Sequence, residues 1–407
     1  MRTRTQTVVI GAGHAGLAMS YCLASRGLAH LVLERGAIAQ RWRSERWDSL
    51  TLLTPNWMTQ LPGYQYHGPE PDGFDSRDEY RRYLESYARS FSAPVREHTE
   101  VMRLALNPSG EGYLLETSQG DFEATNVIIA TGPFHVPHIP ACAGAVSDSI
   151  FQVHTSGYRN PEQLPSGAVL VVGAGNSGAQ IAEELCHAGR NVYLSLGRFR
   201  RAPRRYRGRD LLGWFIDMGT LDRRPEDLSP EAKNVPPPAL TGTFGGHDLD
   251  LHALAEDGVR LLGRLQDVVG GEAMFAQDVA ATVAKGDQDY ARFKHTIDEF
   301  ISRNGIAAAP EAASAPARTE PEGPATLNLA GAGVSAIVWA TGFKYDYSWV
   351  DLPLVTDAGE PTHHQGVTAF PGLYLIGLRW LSKYKSFFIY GVGEDAERLA
   401  GLVAARR

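Results

Sequence analysis

A chain of 407 residues is too long for one ordinary core and implies two or three domains. Its 43% hydrophobic and 21% charged residues are globular in balance, and a net charge of −7 argues against nucleic acid as a partner, because phosphate binding needs a cationic face. The longest apolar runs fall short of the roughly 18 residues of a membrane-spanning helix, and Cys22, Cys142 and Cys186 form no C-x-x-C pair, which excludes a dithiol redox centre. Lone cysteines, with an N-terminus that passes straight into a strand, point to a cytoplasmic protein.

Thr7 to Ile10 is a short β-branched, apolar run that reads as a buried strand. It leads into Gly11-Ala12-Gly13-His14-Ala15-Gly16, then a helical segment through Leu17, Tyr21 and Leu23 that stops at Gly27. A second strand, His30 to Leu33, ends in Glu34. Strand, G-x-G-x-x-G, helix, strand and acid together make a dinucleotide-binding unit. Gly11 permits the tight turn, Gly13 lets the backbone approach a pyrophosphate, and Gly16 lets helix and strand pack closely. The helix N-terminus offers N–H groups and a positive dipole end to phosphate. Glu34 stands where a carboxylate can accept hydrogen bonds from ribose hydroxyls.

The aromatic stretch from Gln40-Arg41-Trp42 to Leu61-Pro62-Gly63-Tyr64 reads equally as a loop folded over a planar ligand or as a satellite core. Ser76 to Ala88 has a cap residue and helical spacing, and is expected to be a surface helix. Val95 to Val101 and Tyr113 to Glu116 suggest a small meander, ending in the buried strand Thr125 to Ala130 before Thr131-Gly132 and a Pro-rich linker.

Ala168 to Val172 restarts the pattern, followed by Gly173-Ala174-Gly175-Asn176-Ser177-Gly178, a helix to His187, and a strand from Asn191 to Leu196. Here Ser195 and Gly197 occupy the region of the acid, and seven arginines lie between Arg198 and Arg209. A carboxylate would repel the 2′-phosphate of NADPH, whereas guanidinium groups bind it bidentately. Arg198 is the first candidate and Arg204 a second; the alternatives are a solvated basic loop or a nucleic-acid patch. Beyond Leu211 the Rossmann rhythm lapses. A charged helical stretch is expected over about 276–301, then an Ala/Pro-rich linker over 307–324. Val334 to Ala340 and Gly372 to Leu378 are further buried strands, and a terminal helix starts near Gly393.

With both turns in view, the chain resembles the class B flavoprotein monooxygenases, including flavin-containing monooxygenases, plant indole-pyruvate monooxygenases and, more remotely, Baeyer–Villiger monooxygenases. The likeness rests on the two G-x-G-x-x-G units, Ala130-Thr131-Gly132, Trp339-Ala340-Thr341-Gly342-Phe343, Pro371 to Gly377, and Gly391-Val392-Gly393-Glu394-Asp395. The family fingerprint F-x-G-x-x-x-H-x-x-x-Y is half present: His154 and Tyr158 match, while Asp148 and Ile150 stand for the Phe and Gly. His154 is read as fixing the interdomain linker.

The resemblance implies an α/β fold of two Rossmann-like domains of the glutathione-reductase kind, with the NADPH domain inserted in the FAD domain. The expected divisions are 1–160, 161–325 with an excursion over about 210–325, and 326–407. FAD contacts are expected from Gly11, Gly13, His14, Ala15, Gly16, Glu34, Arg35, Gln40, Arg41, Trp42, Thr54, Val101, Ala130, Thr131, Gly132 and Gly377. NADPH contacts are expected from Gly173, Gly175, Asn176, Ser177, Gly178, Ser195, Arg198, Arg204, Ala340, Thr341 and Gly342. Similar enzymes carry an Asn at the flavin's reactive edge; Leu53 aligns there, with Asn56 close by.

The implied activity is insertion of one oxygen atom from O₂ into a small organic substrate through a C4a-peroxyflavin, with N- or S-oxygenation or hydroxylation favoured. The alternatives are an NADPH-dependent flavin oxidase or reductase that inserts no oxygen, and Baeyer–Villiger oxidation of a ketone. No metal is expected, since His135/His138, His247/His252 and His363/His364 lack further ligands at metal-like spacing. Neither nucleic acid nor membrane is an expected partner, and a homodimer is left open. Trp57, Tyr64, Trp214, Phe215, Phe244, Phe275 and Tyr384 either line a substrate pocket or belong to ordinary core.

Overall fold

The computed structural model describes residues 2–406 except 109, 234 and 312–320, so the Ala/Pro-rich stretch 307–324 lies partly outside the described residues. β1 (Thr3–Ile10), α1 (His14–Ala24) and β2 (His30–Leu33) form the first strand–helix–strand unit. Val8 and Val9 are fully buried, which suits a central parallel strand covered on both faces. α1 buries Ala15 to Ser20, Cys22 and Leu23, so it is apolar nearly all round and lies inside, between the sheet and a C-terminal helix.

α2 (Arg77–Ser90) begins as its sequence predicts, with a capping box between Ser76 and Glu79, and buries Tyr80, Leu84 and Tyr87 on one face. β3 (Val101–Leu106), β4 (Tyr113–Thr117) and β5 (Phe122–Ile129) follow. The first sheet runs Val95–Arg96, β2, β1, β5, β4, β3. The meander therefore consists of β3, β4 and β5, whereas Val95–Arg96 pairs in parallel with β2 at the far edge. Apolar alternation marks a strand but does not name its neighbour. β5 is shared: its first half pairs with β4, and its second half with Leu373–Leu375 in parallel.

The second sheet is wholly parallel. It comprises β6 (Phe151–His154), β7 (Ala168–Val172), β8 (Val192–Ser195), β9 (Arg260–Leu262) and β10 (Val334–Trp339), in the order β6-β10-β7-β8-β9. α3 (Asn176–His187) joins β7 to β8. Alternate residues feed two cores: Val169, Val171, Leu194 and Val338 on one face, Leu170, Val172, Tyr193, Ile337 and Trp339 on the other. Both β6 and β10 sit in this sheet, so the exchange between sheets falls before 151 and after 339. The expected divisions at 160/161 and 325/326 do not coincide with it.

The segment 210–325 is also more than an excursion, because β9 completes the second sheet. An antiparallel trio (265–269, 272–275, 326–328) and the long helix α4 (Val279–Asn304) pack outside it. α5 (Val392–Ala405) returns the chain to the first core against α1. Among the described residues, no helix is long and apolar enough to cross a membrane.

Candidate functional site

The two glycine turns have the same geometry. Gly11 sits at φ +105°, and a Cβ there would lie 2.8 Å from the Ala130 carbonyl oxygen; Gly173 sits at φ +106°, 2.6 Å from that of Ala340. A Cβ on Gly16 would approach the Gly11 carbonyl oxygen to 1.8 Å, and one on Gly178 that of Gly173 to 1.8 Å. At the middle glycines, Gly13 and Gly175, nothing lies within 4 Å. Outer glycines thus clamp turn, helix and neighbouring strand together, while the middle one faces open space that a phosphate can fill. Ala130-Thr131-Gly132 and Ala340-Thr341-Gly342 are equivalent parts, each backing one turn.

At the first turn a cavity of about 390 Å³ opens, within the size range of cofactor sites. Gly11, Gly13, His14, Ala15, Glu34, Arg35, Gln40, Arg41, Trp42, Val101, Ala130, Thr131, Gly132 and Gly377 all line it. Gly16 is buried in the turn behind it, and Thr54 lies off its wall. Glu34 is buried, and its carboxylate accepts from the Ala12 N–H (2.7 Å) and the Gly36 N–H (3.1 Å), which orients it on the turn. Arg41 pairs with Glu45 (2.8 Å) and donates to the Phe134 carbonyl.

Burial pushes the His14 imidazole down to about 4, against the opposing effect of its contact with the Phe387 carbonyl (3.2 Å). The ring is therefore neutral at neutral pH beside the helix N-terminus. The folded pKa is depressed below the unfolded value of about 6.5. The unfolded chain then binds more protons between the two, and stability falls as pH drops from 6.5 towards 4. Replacing His14→Asn is expected to flatten this part of the pH–stability profile of the apoprotein, read as Tm against pH; an unchanged slope would contradict it.

Several lining residues escaped the sequence reading. Arg46 is half-buried, with its guanidinium 5.4 Å from the ring centres of Trp42 and Phe134, and desolvation pushes it down to about 10. His135 touches the Thr131 hydroxyl (3.0 Å) and accepts from the Asp346 N–H (2.9 Å). Thr99, Phe134, Trp349 and Phe387 also line the wall. The aromatic loop divides between its two readings: Trp42 faces the cavity, whereas Trp47 is buried in the second sheet's core.

Neither flavin-edge candidate lines the cavity. Asn56 is 3% exposed, donating to the Glu70 carbonyl (3.0 Å) and accepting from the Asp75 N–H (2.7 Å), so its amide is used in folding its own loop. Leu53 offers its carbonyl to Arg204 (2.8 Å).

At the second turn Asn176 and Gln180 hold both backbone groups of Leu240, at 3.0 Å each, and Ser177 is half-buried on the first turn of α3. Ser195 is fully buried; its hydroxyl donates to the Gly263 carbonyl (2.9 Å) and accepts from the Leu265 N–H (3.1 Å), bracing β8 to the segment after β9. Arg204 is 1% exposed and locked on Asp210 through Nε (3.0 Å) and Nη2 (2.6 Å). That geometry leaves it no face for a phosphate. Arg201, Arg207 and Arg209 are paired with Asp250, Asp298 and Asp217. Arg198 is exposed three residues after the end of β8, whereas Glu34 directly follows β2.

His154 joins the Gly342 carbonyl through Nε2 (2.9 Å), tying β6 to the loop after β10, and Tyr158 donates to Glu184 (2.7 Å). Among the described residues, no three His, Cys, Asp or Glu groups gather as metal ligands. Of the pocket aromatics, Trp57 lines a second cavity of about 640 Å³ with Tyr390, Arg205 and Arg209. Trp214, Phe215 and Phe275 are core, Tyr64 packs on Tyr83 and Tyr87, and Phe244 is 75% exposed. Tyr384 packs between Trp380 and Phe388 with its ring tilted to both.

The family model described as pyridine nucleotide-disulphide oxidoreductase matches residues 8–208. All three cysteines are free, and burial raises each thiol pKa. An uncharacterized oxidoreductase CzcO-like protein of Geobacillus kaustophilus is 35% identical over 98% of both chains. The probable indole-3-pyruvate monooxygenase YUCCA1 of Arabidopsis thaliana is 35% identical over 46% of each chain. A flavin-containing monooxygenase from Stenotrophomonas maltophilia superposes with a TM-score of 0.65 over 99% of both chains, at 20% identity. The chain therefore belongs to the CzcO family of oxidoreductases and carries the two-dinucleotide fold of the class B flavoprotein monooxygenases.

Proposed function

We propose that the protein is an FAD- and NADPH-dependent monooxygenase acting in the cytoplasm on a small organic substrate, by N- or S-oxygenation or hydroxylation. Residues 1–150 and 343–407 would hold FAD, and 151–342 NADPH. The reading is carried by the duplicated turn, whose two open middle glycines each offer a helix N-terminus to a pyrophosphate, with Glu34 closing one unit and Arg198 the other. Bound flavin supplies the redox and oxygen-transfer chemistry.

The chain's own residues position and shield. Gly13 admits the pyrophosphate, and the braced Glu34 carboxylate presents oxygens to the ribose. Trp42, Phe134, Trp349 and Phe387 keep water from the cavity. α5 begins at Val392, and its N-terminal N–H groups favour negative charge on a ring placed against them. An oxidase that releases peroxide is the second reading, favoured by Asn56, which is held by the Glu70 carbonyl and the Asp75 N–H off the wall of the first cavity. NADPH consumption with candidate amines, sulfides and ketones, with peroxide measured alongside, separates them. Substrate-dependent consumption with a matching oxygenated product supports the monooxygenase. Complete conversion to peroxide with every compound overturns it.

A further inference from the structure

Arg200 differs from its neighbours in the basic segment. It is half-buried, and its guanidinium lies 4.5 Å from the ring centre of Phe293 on α4. Among the described residues that guanidinium has no hydrogen bond or ion pair, whereas Arg201, Arg204, Arg207 and Arg209 each have a carboxylate. Asp289, the carboxylate that acts on it, is already held by Lys285 (2.7 Å) and Arg292 (3.3 Å). Arg223 and Arg292 add two more positive charges within electrostatic reach. A partly desolvated arginine that no carboxylate meets directly is unfavourable unless an anion completes the site.

The surroundings show what such an anion would carry. Tyr384 lies within electrostatic reach of Arg200, and its N–H donates to the Arg223 carbonyl (2.9 Å). From Tyr384 a row of rings runs inward: Phe388 at 5.6 Å between centroids, then Phe387 at 4.6 Å from Phe388. Phe387 is itself on the wall of the first cavity. A cationic end and an aromatic row leading to that wall suit a molecule with one anionic group and an apolar body.

We propose that Arg200 anchors the carboxylate of an organic-anion substrate, whose apolar body lies along Tyr384, Phe388 and Phe387 with its far end towards the cavity. The assignment deepens the monooxygenase reading and rests on it for the word substrate. Arg200 is a positioning residue here and transfers no proton, because a guanidinium stays charged.

Binding is the test, since it needs no turnover. Benzoate, phenylacetate, hydrocinnamate and isovalerate are titrated calorimetrically into the FAD-loaded protein, with phenylacetamide as the neutral control. At least one acid is expected to bind wild type, with Arg200→Met weakening it by about tenfold or more and Arg200→Lys by less. Phenylacetamide affinity and NADPH affinity should be the same in wild type and Arg200→Met. The Tm of Arg200→Met should equal or exceed that of wild type, because an unpaired desolvated charge is removed. No binding by any acid, equal acid binding by wild type and Arg200→Met, or a loss confined to NADPH each overturns the proposal; the last assigns the site to a cofactor phosphate. A protein that released only peroxide would still pass or fail this test by itself, so the two readings fall separately.

Discussion

Gly13→Ala is expected to give a folded, colourless protein, and Gly16→Ala no folded protein at all. The two glycines are three positions apart in one motif, yet a methyl group meets different surroundings at each. On Gly16 it would stand 1.8 Å from the Gly11 carbonyl oxygen, with the Ala130 side chain at 3.4 Å behind it. Backbone surrounds the site and α1 is buried between sheet and α5, so the helix has nowhere to retreat. Ordinary overpacking costs about 1–3 kcal/mol; a clash this far inside van der Waals distance against backbone costs more. A whole domain is stable by only about 5–15 kcal/mol. On Gly13 nothing lies within 4 Å, so the apoprotein's Tm should stay within about 2 °C of wild type. The added methyl instead occupies the approach of the pyrophosphate. Flavin absorbance per mole of purified protein, with circular dichroism melts, measures both. A yellow Gly13→Ala protein with full FAD content would remove the first turn from the cofactor site. Gly178→Ala and Gly175→Ala should repeat the contrast in the second unit, with NADPH binding as the property abolished.

Most of the first site was legible because its parts are local. A strand, three glycines at fixed spacing, a helix and an acid lie within one stretch, and each has a steric or electrostatic reason that survives without neighbours. The Ala-Thr-Gly segments were legible as marks, but their role as backing for the turns depends on β5 and β10 lying beside β1 and β7, which no local pattern states. Long-range partners were hidden for the same reason. Ser195 stands where a cofactor contact was expected, and its hydroxyl joins β8 to the segment that follows β9. Arg204 belongs to a basic run, but Asp210 follows six residues on and takes its guanidinium. Asn56 stood close to the position of the family's flavin-edge Asn, and backbone groups of Glu70 and Asp75 engage its amide. Domain seams suffered likewise: a parallel sheet collects strands from distant segments, so β6 and β10 joined the second sheet against their sequence neighbours.

Removal of Arg198 is expected to give the largest change in preference between the two nicotinamide cofactors. Glu34 directly follows β2, and its carboxylate suits an unphosphorylated ribose; β8 is followed by Leu196, Gly197 and the exposed residue Arg198. Deleting a bidentate arginine–phosphate pair without replacement costs about 2–4 kcal/mol, or roughly 30- to 1,000-fold. Arg198→Ala should therefore lower kcat/KM for NADPH by a factor in that range and leave kcat/KM for NADH within about threefold, because NADH carries no 2′-phosphate. Arg198→Glu should go further and favour NADH, by adding repulsion to the absent attraction. Added salt should raise the KM for NADPH in wild type and act much less on Arg198→Ala. Arg204→Met makes the opposite control. Its guanidinium is buried on Asp210, so removal should lower Tm through the carboxylate left unpaired. NADPH-over-NADH preference should then stay as in wild type. An equal fall for both cofactors in Arg198→Ala would show that the residue supports the loop and does not read the phosphate.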